Sequence, residues 1–373
     1  MALVTANINV NRDPLKRVFV EHLVLGIGTG FTLTDANGSF SFDAGLGFDR
    51  VDIRIHCYNS VIRVLDGSLI TWPVSIDKSV LNGESIQLNS VPEKEQHFDI
   101  LSQCLDVYDT VWRQFRPFNR SSRRDFPVGR RSSLRETFSS NHRIELYFPD
   151  NFPIANRAFN EPSGLSNDGL PIVHLKTDDG TARVFGTPRQ RDLIPHELGH
   201  AMHFSALTPN TRISIEVQYL QFLAAHVDNP THDVDRTTSP LVAFIEAAGI
   251  FSERFFFYRK NAGRDLTDLG ARRGFFQDEL GPQSLSGDMN GYISVGRRRN
   301  GTLAPDLRGN NVEGAVYGAI YLDFASRVGL REAVGLVMDS NATTFADFRT
   351  YVRGRGNTDW TRAINAVRTR WRM

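Results

Sequence analysis

Residues 187–204 read TPRQRDLIPHELGHAMHF, and inside this stretch His196, Glu197, Leu198, Gly199 and His200 spell the pattern H-E-x-x-H. On a helix, residues four apart lie one turn apart on the same face, so both imidazoles reach a single metal ion. Glu197 stands one step round from His196, beside the ion, where a carboxylate takes a proton from a zinc-bound water. Borderline nitrogen ligands with an adjacent base favour Zn²⁺ over Ca²⁺ or Mg²⁺, which take all-oxygen shells. The flanks predict a helix. Thr187 is its N-cap, Pro188 its first residue, and Gln190 completes a T-x-x-Q capping box. Pro195 falls inside the helix and predicts a kink just before the ligands. Leu193, Leu198, Ala201 and Met202 supply the apolar positions that bury it.

Two histidines leave a tetrahedral catalytic site short of one protein ligand, since water takes the fourth position. His200 is followed by Ala201, Met202 and His203, so the H-x-x-G-x-x-H extension of the metzincins is absent. His203 is read as a pocket residue, an outer partner or a surface histidine. A later glutamate is the better ligand. The run 241–253, LVAFIEAAGIFSE, is helical and strongly apolar. A lone Glu in such a face has to be paired, protonated or metal-bound. Glu246 is therefore the expected third ligand, with Glu253 two turns on as the carboxylate that orients a ligating imidazole. The competing reading makes Glu253 the ligand. Glu216, on a more mixed helical face over 213–225, is the weaker candidate. Ala247, Ala248 and Gly249 are small and let this helix approach the metal helix closely.

HELGHAMH followed by FIEAAGIFSE resembles the site of the thimet-oligopeptidase type of zinc peptidase, within the wider gluzincin group. That family carries H-E-F-G-H-x-M-H and then F-V-E-A, with a second Glu seven residues after the ligand. The resemblance is confined to these two stretches, and the family is a much larger all-helical protein with a shorter interval between the motifs. It implies His196 and His200 as ligands, Glu197 as base, Glu246 as third ligand and Glu253 as its neighbour. The stretch 313–324, EGAVYGAIYLDF, predicts a further helix with Tyr317 and Tyr321 one turn apart. The thimet type has paired tyrosines that bind the substrate carbonyl oxygen, and a phenol aimed at that oxygen stabilises a tetrahedral oxyanion. The resemblance thus implies Tyr317, then Tyr321, in catalysis; buried core tyrosines are the alternative. No histidine follows His232, so the family's histidine near those tyrosines is missing.

Ahead of the motif the chain changes character twice. From Arg17 to about Val91 the signals are those of short strands: 18–25, 51–58, 61–65, 69–74 and 85–91. Thr34-Asp35-Ala36-Asn37-Gly38 lies between FTL and SFSF and predicts a hairpin. Strands at this spacing predict a small β-sandwich. TDANGSFSF followed by VDIRIHCYN resembles the transthyretin-like or carboxypeptidase-regulatory sandwich, which implies an accessory module able to dock a partner or to stabilise the chain. His22 and His56 are read as ordinary strand residues. Between Glu95 and Phe115 the apolar residues recur at three and four, an amphipathic helix. An Arg-rich segment then runs to Arg135, read as a solvated linker rather than a phosphate contact, because its aromatics are not interleaved as a stacking platform. Residues 143–148 and 171–175 read as strands. If 172–175 is a sheet edge, a peptide lies antiparallel along it, with His174 as a subsite residue. Residues 261–311 read as a long loop, and 330–338 and 345–367 as terminal helices.

The 373 residues suffice for two or three domains. The expectation is an α+β chain with a β-sandwich module over 1–94, a helix and basic linker over 95–140, and a mainly helical zincin-like metallopeptidase domain with a small sheet over 141–373. A net charge of +1 gives no pull toward nucleic acid or membrane. Two cysteines, Cys57 and Cys104, make no disulfide framework. No secretory signal or membrane-spanning run is evident, which reads as cytoplasmic or exported without a cleaved signal. The expected activity is hydrolysis of a peptide or protein substrate by a zinc-activated water, as an endopeptidase or oligopeptidase. The alternatives are a non-catalytic, zinc-containing structural or adaptor protein, and an exported effector protease with one narrow target.

Overall fold

An alternation of apolar and polar side chains beginning at Leu3 builds the first layer. The structure is a computed structural model, and it describes residues 3–10, 12–25, 27–43, 50–59, 61–66, 74–88, 93–115, 144–147, 159–161, 171–175, 188–225, 236–262 and 308–373. Strand β1 (Leu3–Val10) buries Val4, Ala6, Ile8 and Val10 and turns Leu3 and Thr5 outward, the period of a half-buried strand. It pairs antiparallel with β2 (Asp13–Pro14) and β5 (Ser39–Asp43) and parallel with β9 (Ser85–Leu88). A second sheet runs β4-β3-β6-β8, all antiparallel: β4 (Ile27–Leu33), β3 (Phe19–Val24), β6 (Arg50–His56) and β8 (Ser75–Leu81). The two sheets meet where His22 stacks on Phe42 at 5.2 Å. The fold is α+β, with N-terminal sheets followed by a helical region.

The turn at residues 35–38 forms, but it is not a hairpin. Asp35 Oδ1 accepts from the Asn37 and Ser39 amides at 2.8 and 2.9 Å, and Gly38 takes the left-handed φ of +72° that the turn requires. Its flanking strands belong to different sheets, β4 beside β3 and β5 beside β1. The buried Thr34 explains the crossover. Its hydroxyl donates to the Leu15 carbonyl at 2.6 Å and accepts from the Val18 amide, while the Gly38 carbonyl accepts from the Ile8 amide. The turn is thereby bonded into the sheet of β1 rather than closing on β4.

A third sheet runs β11-β12-β10-β7. Strand β10 (Ile144–Tyr147) lies parallel to both β12 (Ile172–His174) and β7 (Ile62–Leu65), and β11 (Phe159–Glu161) pairs antiparallel with β12. The expectation that 172–175 forms a sheet edge is corrected here: β12 has a neighbour on each side, so its main-chain groups are committed, and β11 is the outer strand. Helix α1 (Glu93–Thr110) covers the amphipathic run and ends in a 3₁₀ turn at Trp112–Gln114. Cys57 and Cys104 are buried and free, and burial raises both thiols well above their ordinary value.

The helical part carries α2 (Pro188–Ala206), α3 (Pro209–Ala225) and α4 (Pro240–Ala262). After them come α5 (Glu313–Tyr317), a π-helical segment (Gly318–Phe324), α6 (Ala325–Val328), α7 (Leu330–Ser340), α8 (Phe345–Gly354) and α9 (Thr358–Trp371). Helix α4 starts on a Ser239-Pro240 pair: the Ser239 hydroxyl accepts from the Val242 amide at 3.2 Å and Pro240 takes the first position. Arg259 and Lys260 complement the dipole of its last turn. Phe204, Leu207, Ile215, Leu241, Val242 and Ile245 pack α2, α3 and α4 into one apolar cluster.

Two compact units result, Met1–Asp106 with Pro127–Ile194, and Val107–Phe126 with Pro195–Met373. The division within α2 falls at Pro195, so every expected metal-site residue lies in the second unit. Among the described residues, no helix is long and apolar enough to cross a membrane. The Thr187 cap, the basic segment past Phe115, the strand expected at 69–74 apart from Val74, and most of the 261–311 loop lie outside the described residues, as does the His174 side chain.

Candidate metal centre

His196 and His200 lie one turn apart on α2, and their rings meet edge to face with centroids 4.7 Å apart. Their Nε2 atoms are 3.1 Å from each other, and Glu246 Oε2 of α4 lies 3.2 Å from the first and 3.3 Å from the second. The three donors form a nearly equilateral triangle. Ligands held tetrahedrally at about 2.0–2.1 Å from an ion are separated by roughly 3.3 Å, so the triangle has the size a small divalent cation requires. All three residues are buried, at 3%, 1% and 0% exposure, and the group could hold a metal ion. Of the two glutamates weighed as third ligand, Glu246 is in the triangle, and Glu253 Oε2 sits 3.3 Å from His196 Nδ1 on the far side of that ring.

This second contact would select one tautomer once a cation is bound. With a cation at the point on which the three donors converge, Nδ1–H would donate to Glu253 and the Nε2 lone pair would face the ion. Burial by itself lowers the His196 pKa, but the two carboxylates outweigh it and raise the imidazole to about 10 in the absence of a cation. Two carboxylates gathered round a buried imidazole make a locus built for positive charge. Glu197, next to His196 and 4% exposed, is the remaining carboxylate of the motif.

Two glycines let the helices come this close. A Cβ at Gly199 would stand 2.6 Å from Ser252 Cβ and 2.9 Å from the Ala248 carbonyl oxygen. One at Gly249 would stand 2.7 Å from His196 Nε2 and 2.8 Å from His200 Cε1. The backbone of α4 thus forms a wall of the site directly, with no room for a side chain. Gly249 was legible only as a small residue; its contact with both imidazoles needed the helix crossing. On the side of α4 near Gly199, Ser252 Oγ accepts from Trp112 Nε1 at 2.9 Å, and Arg259 donates to the Thr110 carbonyl at 2.6 Å. These bonds fix the rotation of α4, and so the direction in which Glu246 points.

Tyr317 and Tyr321 are both buried, with rings 6.1 Å apart. Tyr321 lies flat on Phe251 at 4.5 Å and 10°. Phe251 is about 140° round α4 from Glu246, which makes Tyr321 part of the packing behind the metal face. The Arg254 guanidinium stands 5.3 Å over the Tyr317 ring. The helix expected over 313–324 widens into π geometry after Tyr317, where Gly318 packs on the Trp371 ring and Asp323 accepts from Trp371 Nε1 at 3.1 Å.

His203 is fully buried, against Phe204 at 6.0 Å and Phe244 at 5.7 Å, so of its three readings the surface one is excluded. Burial, with the nearby His200, pushes its pKa down to about 3. Glu216 is buried on α3 and is not in the donor group. Comparison with protein-family models, with curated proteins and with solved structures finds no match.

Proposed function

We propose that the protein is a zinc-dependent peptidase of the gluzincin kind, with Zn²⁺ held by His196, His200 and Glu246. The observation that carries this reading is the buried donor triangle, with the buried Glu197 next to His196 in sequence. Two imidazoles and one carboxylate are the ligand set that keeps a fourth position open in catalytic zinc sites, whereas closed structural sites complete the shell with protein. When bound, the ion acidifies a water and polarises the carbonyl to be attacked. Glu197 accepts the proton of the attacking water and returns it to the departing amine nitrogen. Glu253 holds the His196 ring in place throughout. Tyr317, and after it Tyr321, are the candidates to donate to the developing oxyanion. The substrate class is a peptide or protein, and the N-terminal strands are a candidate docking module for a partner.

Cleavage of a mixed peptide library by wild type and Glu197→Gln, each with its zinc content measured by plasma mass spectrometry, tests the reading. One zinc per chain in both, with cleavage lowered by about 10²–10⁴ only in the variant, is the expected result. Zinc in both with no cleavage by wild type would favour the adaptor or narrow-target alternatives.

A further inference from the structure

We propose that His203 positions the metal-binding His200, through one buried water shared with its Nδ1 nitrogen; the proposal rests on the zinc site described above. An imidazole that binds a metal through one nitrogen donates its other N–H to a fixed acceptor, which sets the ring's tautomer and orientation. The two ligating histidines are unequal in this respect. His196 has Glu253 at 3.3 Å from Nδ1. His200 presents Nε2 to the triangle, while its Nδ1 is buried without a hydrogen-bond partner among the described residues.

His203 follows His200 by three residues on α2, a neighbour on the same helix surface. Both rings lie against Phe204, at 6.1 and 6.0 Å, and the Phe244 ring stands 5.7 Å from that of His203. Neither His203 nitrogen has a hydrogen-bond partner among the described residues, although the residue is fully buried. A position facing two phenylalanines takes Leu or Phe without penalty, whereas an imidazole there leaves polar atoms unmet. A water between the two histidines resolves both deficits. It accepts from His200 Nδ1–H and donates to the lone pair that a neutral imidazole keeps. His203 is then to His200 what Glu253 is to His196, with a neutral acceptor in place of a charged one.

Two variants separate this role from simple packing: His203→Phe, which keeps the volume and removes the nitrogens, and His203→Gln, which restores a carbonyl acceptor. The readouts are the Zn²⁺ dissociation constant by competition with a chromophoric chelator, and the visible spectrum of the Co²⁺-substituted protein, with folding checked by circular dichroism. In folded His203→Phe, zinc affinity is expected to fall about 10–100-fold with a shifted cobalt band, and His203→Gln to stay within roughly threefold of wild type. A packing role would move the unfolding midpoints and leave the cobalt spectrum alone. Should His203→Phe fail to fold, the zinc-loaded wild type decides: a slowly exchanging His200 Nδ1–H proton in its NMR spectrum supports the proposal, and its absence overturns it. Wild-type affinity in folded His203→Phe overturns the proposal and leaves the zinc site standing. A wild type that takes up no zinc overturns both.

Discussion

In the strand-rich unit His56 Nε2 lies 3.1 Å from Glu21 Oε2, and in the helical unit His196 Nε2 lies 3.2 Å from Glu246 Oε2, nearly the same contact in two settings. The first is shared sideways. Arg54 reaches Glu21 at 3.8 Å and is itself bonded to Asp77 at 2.8 Å, and the row of charges runs across neighbouring strands toward solvent. His56 there titrates below its ordinary value, because burial outweighs the pull of Glu21. In the second setting two carboxylates flank one imidazole, and His196 is raised to about 10. The strand pairs spread their donors along a sheet, while a helix crossing at two glycines turns three donors toward one point. A group that could hold a metal ion is made by that convergence, and a short His–Glu distance alone does not make one.

Replacing the carboxylates should break the comparison most visibly. Glu246→Leu is expected to abolish stoichiometric metal binding, while Glu21→Leu leaves it unchanged; equilibrium dialysis with Zn²⁺ reads both. The next largest effect is Gly249→Ala. Its methyl would meet both imidazoles, so metal affinity should fall by about 10–100-fold. The same crowding should cost about 1–3 kcal/mol of stability in denaturant titrations.

The two histidines should also leave pH signatures of opposite sign. In metal-stripped protein, folded His196 keeps a proton that the unfolded imidazole, with a pKa of about 6.5, has released. Its contribution is fully present below about pH 6.5 and is lost as pH rises toward 10, at most about 1.4 kcal/mol per pH unit. For His56 the folded pKa is the lower one, so the unfolded chain binds the extra proton and stability is lost as pH falls through the imidazole range. Urea midpoints of wild type against His196→Gln and against His56→Gln, from pH 5 to 9.5, measure both limbs. Parallel curves at all pH values would contradict the assignment. The smallest effect expected is that of Arg54→Met, because the pair with Asp77 is exposed: about 0–1 kcal/mol, shrinking with added salt.

Much of the helical unit was legible because its pattern is local. The H-E-x-x-H spacing, the lone Glu246 in an apolar run and the seven-residue step to Glu253 are distances along single helices, and the crossing of α2 and α4 preserves them. What escaped was decided between elements. Strand β1 has a plain alternation from Leu3 to Val10, but it stands where a leader segment is looked for and its outward Asn residues weaken a strand reading. The turn at 35–38 has hairpin chemistry, and nothing nearby in sequence reveals that Thr34 and Gly38 are bonded to the segment 8–18. That β12 is an inner strand depends on β11, a three-residue strand too short to announce itself. The widening of the helix after Tyr317 depends on Trp371, more than fifty residues on, which fills the space above Gly318.

X-ray absorption at the metal edge of protein reconstituted with Zn²⁺ tests the central claim most directly. The account predicts one ion per chain, with about four nitrogen or oxygen neighbours at roughly 2.0–2.1 Å and the outer-shell scattering of two imidazoles. Sulfur at about 2.3 Å, a shell lacking imidazole, or an edge signal that persists in Glu246→Leu would contradict it.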